Sequence, residues 1–287
     1  MNTKKIATLL GTVTATVCLI SAMGQAAQAG VLHNGWNYAL DSTNDVPLEY
    51  GNSDYEIYGM AIKENAGKVY VAFNGNFPLE GRSIYEWGDL FFNFSDLPFI
   101  QASQNGNLYA VNFSNDDDTP NGVYGNVNPT KLTKDLEIVY TYEDIGVGTD
   151  GRLNLGDLSS TDSYFAPQDN YIAYGFDPAE ADWLGNITLF DDENEVQNTL
   201  ISQLELDLDF FVQGTDQTQG SETFGFSFNR DLLPEGTYIA HVFENCGNDG
   251  VAIKTPEPST MVGLFGLGLT VLGSQISKRR KGNGVSQ

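Results

Sequence analysis

The clearest regularity in this chain is an alternation of apolar and polar residues with a period of two. Residues 224–228 place three phenylalanines on one face, and residues 204–210 place leucines and a phenylalanine opposite three acids. Because successive side chains of a strand point to opposite faces of a sheet, this period predicts half-buried β-strands. Similar runs predict further strands at residues 55–62, 69–73, 90–94, 108–113, 136–142 and 238–243.

The segments between these runs predict how the strands are connected. Turn-forming residues cluster at Asn65-Ala66-Gly67, Asn105-Gly106-Asn107 and Asn121-Gly122. Residues 229–236 are predicted to be a hairpin-like loop, and residues 178–184 and 193–201 to be short helices. The fold class that follows is all-β, with an antiparallel β-sandwich or jelly-roll-like domain over residues 30–254.

The N-terminal segment has a different pattern. Lys4 and Lys5 precede an apolar run over residues 6–23, and the small residues Ala27 and Ala29 follow it. A basic start, an apolar middle and a small-x-small end are typical of a secretory signal peptide. Residues 1–29 are therefore predicted to be a signal peptide cleaved after Ala29, with the middle of the chain exported.

The C-terminal segment, residues 255–287, contains three parts in order. Pro256, Glu257 and Pro258 are followed by an uncharged run over residues 259–276, and the run ends in a basic stop formed by Lys278, Arg279, Arg280 and Lys281. A helix of these 18 uncharged residues would be about 27 Å long, close to the ~30 Å hydrocarbon core of a bilayer. A single membrane helix with a cytoplasmic basic end is predicted. The alternative, a core helix, is disfavoured because the run has no polar face.

These three parts resemble the PEP-CTERM sorting signal of Gram-negative bacteria. The resemblance implies that an exosortase, a membrane-embedded cysteine transpeptidase, cuts near Pro256, Glu257 and Pro258 and releases or re-attaches the exported domain. Each proline favours an extended backbone, which suits a cleavable segment. A plain linker before a membrane anchor predicts the same geometry without cleavage, so that alternative stays open.

Parts of the exported domain are also similar to exosortase-dependent surface proteins common in cyanobacteria. The similarity lies in residues 87–94, 156–162 and 226–253. It implies a surface destination and a β-rich domain. It implies no reaction, because those families are of unknown activity.

The exported region is strongly acidic. Six of the 14 basic residues and one of the 38 acidic residues lie in the terminal segments, which leaves 8 bases and 37 acids in residues 30–255. Such a surface repels nucleic acids and anionic lipids, and it binds acidic polysaccharide only through bridging cations. Cys246 is the single cysteine of this region, so no disulfide forms within it, and its apolar flanks predict a buried thiol.

No residue pattern predicts catalysis. A serine or cysteine nucleophile needs a nearby base, but His33 and His241 are far apart in sequence and His241 lies in an apolar strand. Nucleotide-binding glycine motifs are missing. Two carboxylates for glycoside hydrolysis are formally available, yet with so many acids such a pair carries little weight. The protein is therefore predicted not to be an enzyme.

Calcium is the best candidate ligand. Asp150, Asn154 and Asp157 resemble the second half of an EF-hand-like loop. Glycines at 146 and 148 stand where the first side-chain ligands would be, which favours an ordinary acidic turn. No cofactor is expected, and calcium remains the alternative.

Three tryptophans are candidates for stacking on sugars. Trp36 and Trp87 lie in strand-like apolar surroundings, which favours a core position for Trp87, whereas Trp183 lies beside Asp182 and Gly185. The expected function is thus a non-catalytic cell-surface or extracellular-matrix-associated protein, held transiently in the inner membrane and processed by an exosortase. A secreted calcium-dependent carbohydrate-binding module, with extracellular polysaccharide as partner, is the alternative.

Overall fold

The computed structural model describes residues 30–41, 54–83, 85–114, 120–132, 154–159, 162–165, 173–213, 218–245 and 249–255. The signal peptide, the strand predicted at residues 136–142, Cys246 and the tail from Pro256 onward lie outside these residues. What was predicted for them stays a prediction.

Strands dominate the described residues, and the strands pair with one another in antiparallel fashion. In chain order they are β1 (Val31–His33), β2 (Trp36–Leu40), β3 (Ile57–Asn65), β4 (Lys68–Gly75), β5 (Leu90–Asn93), β6 (Leu108–Asn112), β7 (Gly122–Gly125), β8 (Pro129–Leu132), β9 (Asn154–Leu155), β10 (Leu158–Ser159), β11 (Ala173–Phe176), β12 (Asp182–Asn186), β13 (Thr188–Phe190), β14 (Glu222–Asn229), β15 (Ile239–Phe243) and β16 (Gly250–Lys254). The predicted all-β, antiparallel character is confirmed.

Helices are short in this part of the chain. Phe99–Gln104 and Glu193–Glu195 are α-helical, Val196–Gln203 is a π-helix, and single 3₁₀ turns occur at Ser163–Phe165, Pro178–Glu180, Leu208–Val212 and Arg230–Leu232. Among the described residues, no helix has the length and apolar character needed to cross a membrane.

Twelve of the strands form two six-stranded sheets. Sheet 1 has the order β1-β2-β3-β4-β14-β13, and sheet 2 has the order β12-β7-β6-β5-β15-β16. Apolar side chains of both sheets meet in one buried cluster, the inner core. Phe73 of sheet 1, for example, stacks on Phe113 at the end of β6, with ring centroids 5.5 Å apart. The two sheets therefore pack face to face.

The alternation read from the sequence determines which residues enter the inner core. Phe224, Phe226 and Phe228 of β14 all lie in it, as the period of two predicts. Two-residue turns set the register of neighbouring strands. At the turn between β3 and β4, Ala66 and Gly67 have φ values of 50° and 76°. Positive φ values at both central residues of a two-residue turn match the right-handed twist of the strands that it joins.

The outer face of each sheet is also covered. Cover 1 packs on sheet 1 and is built mainly from residues 196–211; its buried side chains are those of Trp36, Tyr38, Tyr58, Ala61, Ala72, Phe190, Val196, Leu200, Leu204, Leu206, Phe210 and Phe211. Cover 2 packs on sheet 2 and is built from several separate segments; its buried side chains are those of Phe91, Phe99, Leu108, Ala110, Tyr124, Val127, Leu155, Leu158, Tyr164, Phe165, Ala173, Phe176, Phe243 and Ala252.

One strand prediction is wrong: residues 204–210 do not enter a sheet. The main-chain N–H groups that a strand would offer to a neighbour are bonded locally instead. The Leu206 N–H donates to the Leu200 carbonyl over 2.9 Å, and the Asp207 carboxylate accepts the Asp209 N–H at the start of a 3₁₀ turn. The alternating leucines nevertheless become buried, because they pack onto sheet 1 in cover 1.

Two predicted connections also differ. Residues 229–236 are not a hairpin loop, because β14 belongs to sheet 1 and β15 to sheet 2, so this segment crosses between the sheets. Arg230 holds the crossing by donating to the Leu233 and Pro234 carbonyls over 3.0 and 2.8 Å. Of the helix predicted at 178–184 only Pro178–Glu180 is helical, and β12 follows it, whereas the helix at 193–201 is confirmed.

Candidate functional site

The folded domain ends at the residue that precedes the predicted sorting tripeptide. Thr255 follows β16, and its N–H donates to the Tyr238 carbonyl over 3.0 Å. Its Oγ1 accepts the Tyr238 N–H over 2.7 Å. Pro256 is the next residue, so the tail leaves directly from a hydrogen-bonded strand end, with no intervening linker.

The turn between β9 and β10 covers the outer edge of β16. Gly156 bridges to Ala252 of β16, and the Asp157 N–H donates to the Ala252 carbonyl over 3.0 Å. The Asp157 carboxylate in turn accepts the Lys254 N–H over 2.8 Å. Since β16 is the last strand of sheet 2, these bonds satisfy main-chain groups that would otherwise remain open at a sheet edge.

The start of the predicted mature chain lies next to Asp157, at the outer edge of β16. Gly30 is buried, and its N–H donates to the Asp157 carboxylate. Asn37 of β2 donates from Nδ2 to the Lys254 carbonyl over 3.0 Å. The two predicted processing points, after Ala29 and near Pro256, therefore flank one small cluster of residues.

Burial makes Asp157 an unusual carboxyl group. It raises the pKa of Asp157 to about 7, against the smaller opposing effects of the N–H donors from Lys254 and Gly30 and of the Lys254 charge. Nearby, Asn37 is 6% exposed, and its Oδ1 has no hydrogen-bond donor within the described ranges. The cluster thus combines a partly desolvated carboxylate with a buried, unused amide oxygen.

The candidate calcium ligands are only partly described. Asn154 lies in β9, Asp157 lies in the turn before β10, and Asp150 falls outside the described residues. The Asp157 carboxylate is engaged by main-chain N–H groups. No group of three potential metal-ligating side chains occurs in the part of the chain that the structure describes. The calcium loop therefore remains a prediction.

The three tryptophans occupy two kinds of environment. Trp36 and Trp87 are buried, at 0% and 2% exposure, and each indole N–H donates to a main-chain carbonyl, that of Leu204 and of Pro78 respectively. Trp183 is 45% exposed on the edge strand β12, where its ring packs edge-on to Tyr124 with centroids 5.1 Å apart. Only Trp183 of the three has a ring face available to a ligand.

The two histidines do not form a site. His241 is fully buried on the outer face of sheet 2, where burial lowers its pKa to about 3. Its Nδ1 lies 3.0 Å from the Tyr164 hydroxyl, and its ring packs against Phe99 at 4.6 Å. His33 stacks on Phe210 in cover 1, against the other sheet.

An open, acidic depression lies beside β1. Its lining includes Glu205, Asp207, Asp209, Gln197 and Ile201, and it contains no aromatic ring. The Asp207 carboxylate bonds to the His33 ring over 2.9 Å and to the Asp209 N–H over 3.2 Å. The depression thus has no surface on which a sugar ring could stack.

Comparison with known protein families finds the PEP-CTERM protein-sorting motif at residues 254–281. No curated protein and no solved structure matches the chain significantly. The chain is therefore an exported protein that passes through the membrane to the cell surface under a C-terminal sorting signal. More narrowly, it is a PEP-CTERM protein, which implies processing by an exosortase.

Sequence reasoning missed the partners of Asp157. Gly30 and Asn37 are separated from it by more than 100 residues, and no local spacing connects them. The available signal was the small residue directly after the predicted cleavage point. A Cβ built on Gly30 would lie 2.3 Å from Asn37 Oδ1, so a larger residue there would displace the Asn37 amide.

Proposed function

We propose that this protein is a non-catalytic component of the cell surface or extracellular matrix, exported after cleavage behind Ala29 and delivered by an exosortase acting at Pro256-Glu257-Pro258. The observation that carries the proposal is the sorting motif at residues 254–281, which begins at the end of β16. The apolar run at residues 259–276 would hold the precursor in the inner membrane until the tail is cut.

The environment of the histidines supports a non-catalytic domain. A general base must reach the proton that it removes, but His241 is enclosed by aromatic side chains and its pKa is held far below neutrality. The tryptophans at 36 and 87 are used in packing. The compact pair of sheets is a scaffold, and we assign it to the sandwich rather than the jelly-roll form because β2, β3 and β4 are consecutive neighbours in one sheet.

Replacing Pro256, Glu257 and Pro258 by alanine in the full-length protein tests this function. In a host with an active exosortase, we expect the variant to accumulate in the membrane fraction at the mass of the uncut chain. The matched control is Pro234→Ala with Glu235→Ala, which removes a surface Pro-Glu pair and leaves the tail intact. Cleavage of the motif variant at the rate of the control would overturn the proposal.

A second candidate function is carbohydrate binding at the edge of sheet 2. It rests on the exposed ring of Trp183, which lies over Gly122 and beside the exposed Asp182. A sugar stacked on this ring, with calcium bridging to acidic polysaccharide, would place the ligand on an open edge strand. Binding to immobilised glycans that is lost with Trp183→Ala and with EDTA would support this function; binding insensitive to both changes would reject it.

A further inference from the structure

The cluster around Asp157 contains more hydrogen-bond acceptors than the unprocessed chain can use. Gly30 has one N–H while it is joined to Ala29, and this N–H donates to the Asp157 carboxylate. The Asn37 Oδ1 lies against Gly30, is buried, and finds no donor among the described residues. A buried acceptor without a donor is costly, typically by about 1–3 kcal/mol.

Cleavage changes the chemistry of Gly30. Hydrolysis adds water across the Ala29–Gly30 peptide bond, which leaves a carboxylate on Ala29 and an α-ammonium group on Gly30. An ammonium group at this position has three N–H donors and a positive charge. The group now has a donor for each of the two acceptors, the Asp157 carboxylate and Asn37 Oδ1, and its charge is opposite to that of Asp157.

We propose that Asp157 and Asn37 form the binding site for the α-ammonium group of the mature N-terminus, so that removal of the signal peptide creates an ion pair that fastens β1 and β2 of sheet 1 to β16 of sheet 2. The inference rests on the cleavage after Ala29 that the proposed function includes. It goes beyond that function because it makes N-terminal processing a step in completing the fold.

The surroundings of Asp157 and Asn37 support this role. The Asp157 carboxylate accepts the Lys254 N–H, and Asn37 donates to the Lys254 carbonyl, so both acceptors are already fixed to β16 before the charge appears. The cation of Lys254 attracts Asp157 only weakly compared with the effect of burial. A Cβ at position 30 would lie within 3 Å of the Asn37 amide, which shows how closely this amide packs against the start of the predicted mature chain.

The test uses the full-length protein, exported and processed by its host, in four versions. These are the unchanged chain, Asp157→Asn, an alanine inserted between Ala29 and Gly30, and both changes together. The insertion leaves an α-ammonium group but moves it one residue away from Asp157. Asp231→Asn is the matched control, because Asp231 is an exposed carboxylate. N-terminal sequencing establishes the first residue of every purified product.

We expect Asp157→Asn and the insertion each to lower Tm by roughly 6–12 °C, because each leaves one partner of a buried pair without the other. The combined variant should melt close to the single variants, since the interaction can be lost only once. Asp231→Asn should change Tm little. Additive losses, or an insertion that leaves Tm unchanged, would overturn the ion pair.

A second measurement compares the unchanged protein with the inserted variant and leaves Asp157 in place in both. In the unchanged protein, the α-amine of Gly30 should react at least about tenfold more slowly with an amine-acylating reagent at pH 7 than in the inserted variant, because the paired Asp157 carboxylate keeps the ammonium ion protonated and burial keeps the reagent away. Equal rates contradict the proposal. A mature chain that begins elsewhere than Gly30 also contradicts it and removes the cleavage after Ala29 from the proposed function, while unchanged cleavage at the C-terminal motif would leave the proposed delivery by an exosortase standing.

Discussion

Cover 1 and cover 2 bury the outer faces of the two sheets in different ways. In cover 1 the polar atoms of two buried aromatic side chains have partners: the Trp36 indole N–H donates to the Leu204 carbonyl over 2.8 Å, and the Tyr38 hydroxyl accepts the Asp207 N–H over 2.9 Å. In cover 2 the His241 Nε2 is buried and has no partner among the described residues. The free-energy cost of burying an imidazole nitrogen without a partner depends on the pH.

The difference follows from how each cover is assembled. Cover 1 comes mainly from one continuous segment, residues 196–211, whose main-chain groups lie close to the aromatic side chains of β2. Cover 2 draws on the helix Phe99–Gln104, the turn at β9 and β10, and the 3₁₀ turn Ser163–Phe165. Among the described residues, these separate pieces supply aromatic rings around His241 and one hydrogen-bond partner, the Tyr164 hydroxyl. We infer that the burial of His241 makes cover 2 sensitive to acid.

The largest expected effect concerns cover 1. Trp36→Ala should lower the free energy of unfolding by about 3–5 kcal/mol, because it removes a fully buried side chain and one of the two donors to the Leu204 carbonyl, the other being the Lys63 ammonium. Trp183→Ala is the matched control and should cost roughly 1 kcal/mol or less, since that ring is half exposed. Urea denaturation of the exported protein measures both; equal losses would show that the ring of Trp183 is as important for packing.

Acid should act on cover 2. The pKa of His241 is about 3 in the fold, below its ordinary value of 6.5, so the unfolded chain binds the proton more readily. The stability contributed by the neutral ring is fully present above pH 6.5 and is lost as the pH falls towards 3. Between pH 7 and 4 this group should remove about 3 kcal/mol from the free energy of unfolding.

His241→Phe isolates that contribution, because the phenyl ring can occupy the aromatic cage but cannot bind a proton. We expect the variant to lose distinctly less stability than the unchanged protein between pH 7 and 4, as measured by urea denaturation at each pH. Identical pH profiles for the two proteins would assign the acid sensitivity to carboxylates instead.

The smallest effects compare two tyrosine hydroxyls. Tyr164→Phe removes the partner of the His241 Nδ1 in a fully buried place and should cost about 1–3 kcal/mol. Tyr38→Phe removes the acceptor for a main-chain N–H that is only partly buried and should cost about 0.5–1 kcal/mol. Thermal melts of the two variants rank them, and a reversed order would contradict the contrast between the covers.

Six of the twelve strands of the two sheets could be predicted from the sequence, because a period of two indicates which side chains face a core. The regions at 55–62, 69–73, 90–94, 108–113, 224–228 and 238–243 all contain observed strands. The prediction was wrong at residues 204–210, where the N–H groups bond to the Leu200 carbonyl, the Tyr38 hydroxyl and the Asp207 carboxylate rather than to the main chain of a neighbouring strand. Alternation indicates burial, and local hydrogen bonding decides whether the buried segment is a strand.

The sorting motif could be recognised because its parts are contiguous in the chain. The Asp157 cluster could not, because Gly30, Asn37, Asp157 and Lys254 are brought together only by the packing of sheet 1 against the last strand of sheet 2. Asp157 was selected from the sequence as a candidate calcium ligand, but the main-chain N–H groups that bond to its carboxylate lie far away in the sequence and could not be predicted.

Because Pro256 directly follows Thr255, the distance between the described domain and the predicted membrane helix is limited. Four peptide units join Thr255 to Ser259, and a fully extended chain spans at most about 14 Å over that distance. In the proposed membrane-held precursor, the domain has almost no clearance above the lipid headgroups. If the tail is cut at Pro256-Glu257-Pro258 as proposed, the cut falls within that same short distance of the predicted membrane helix.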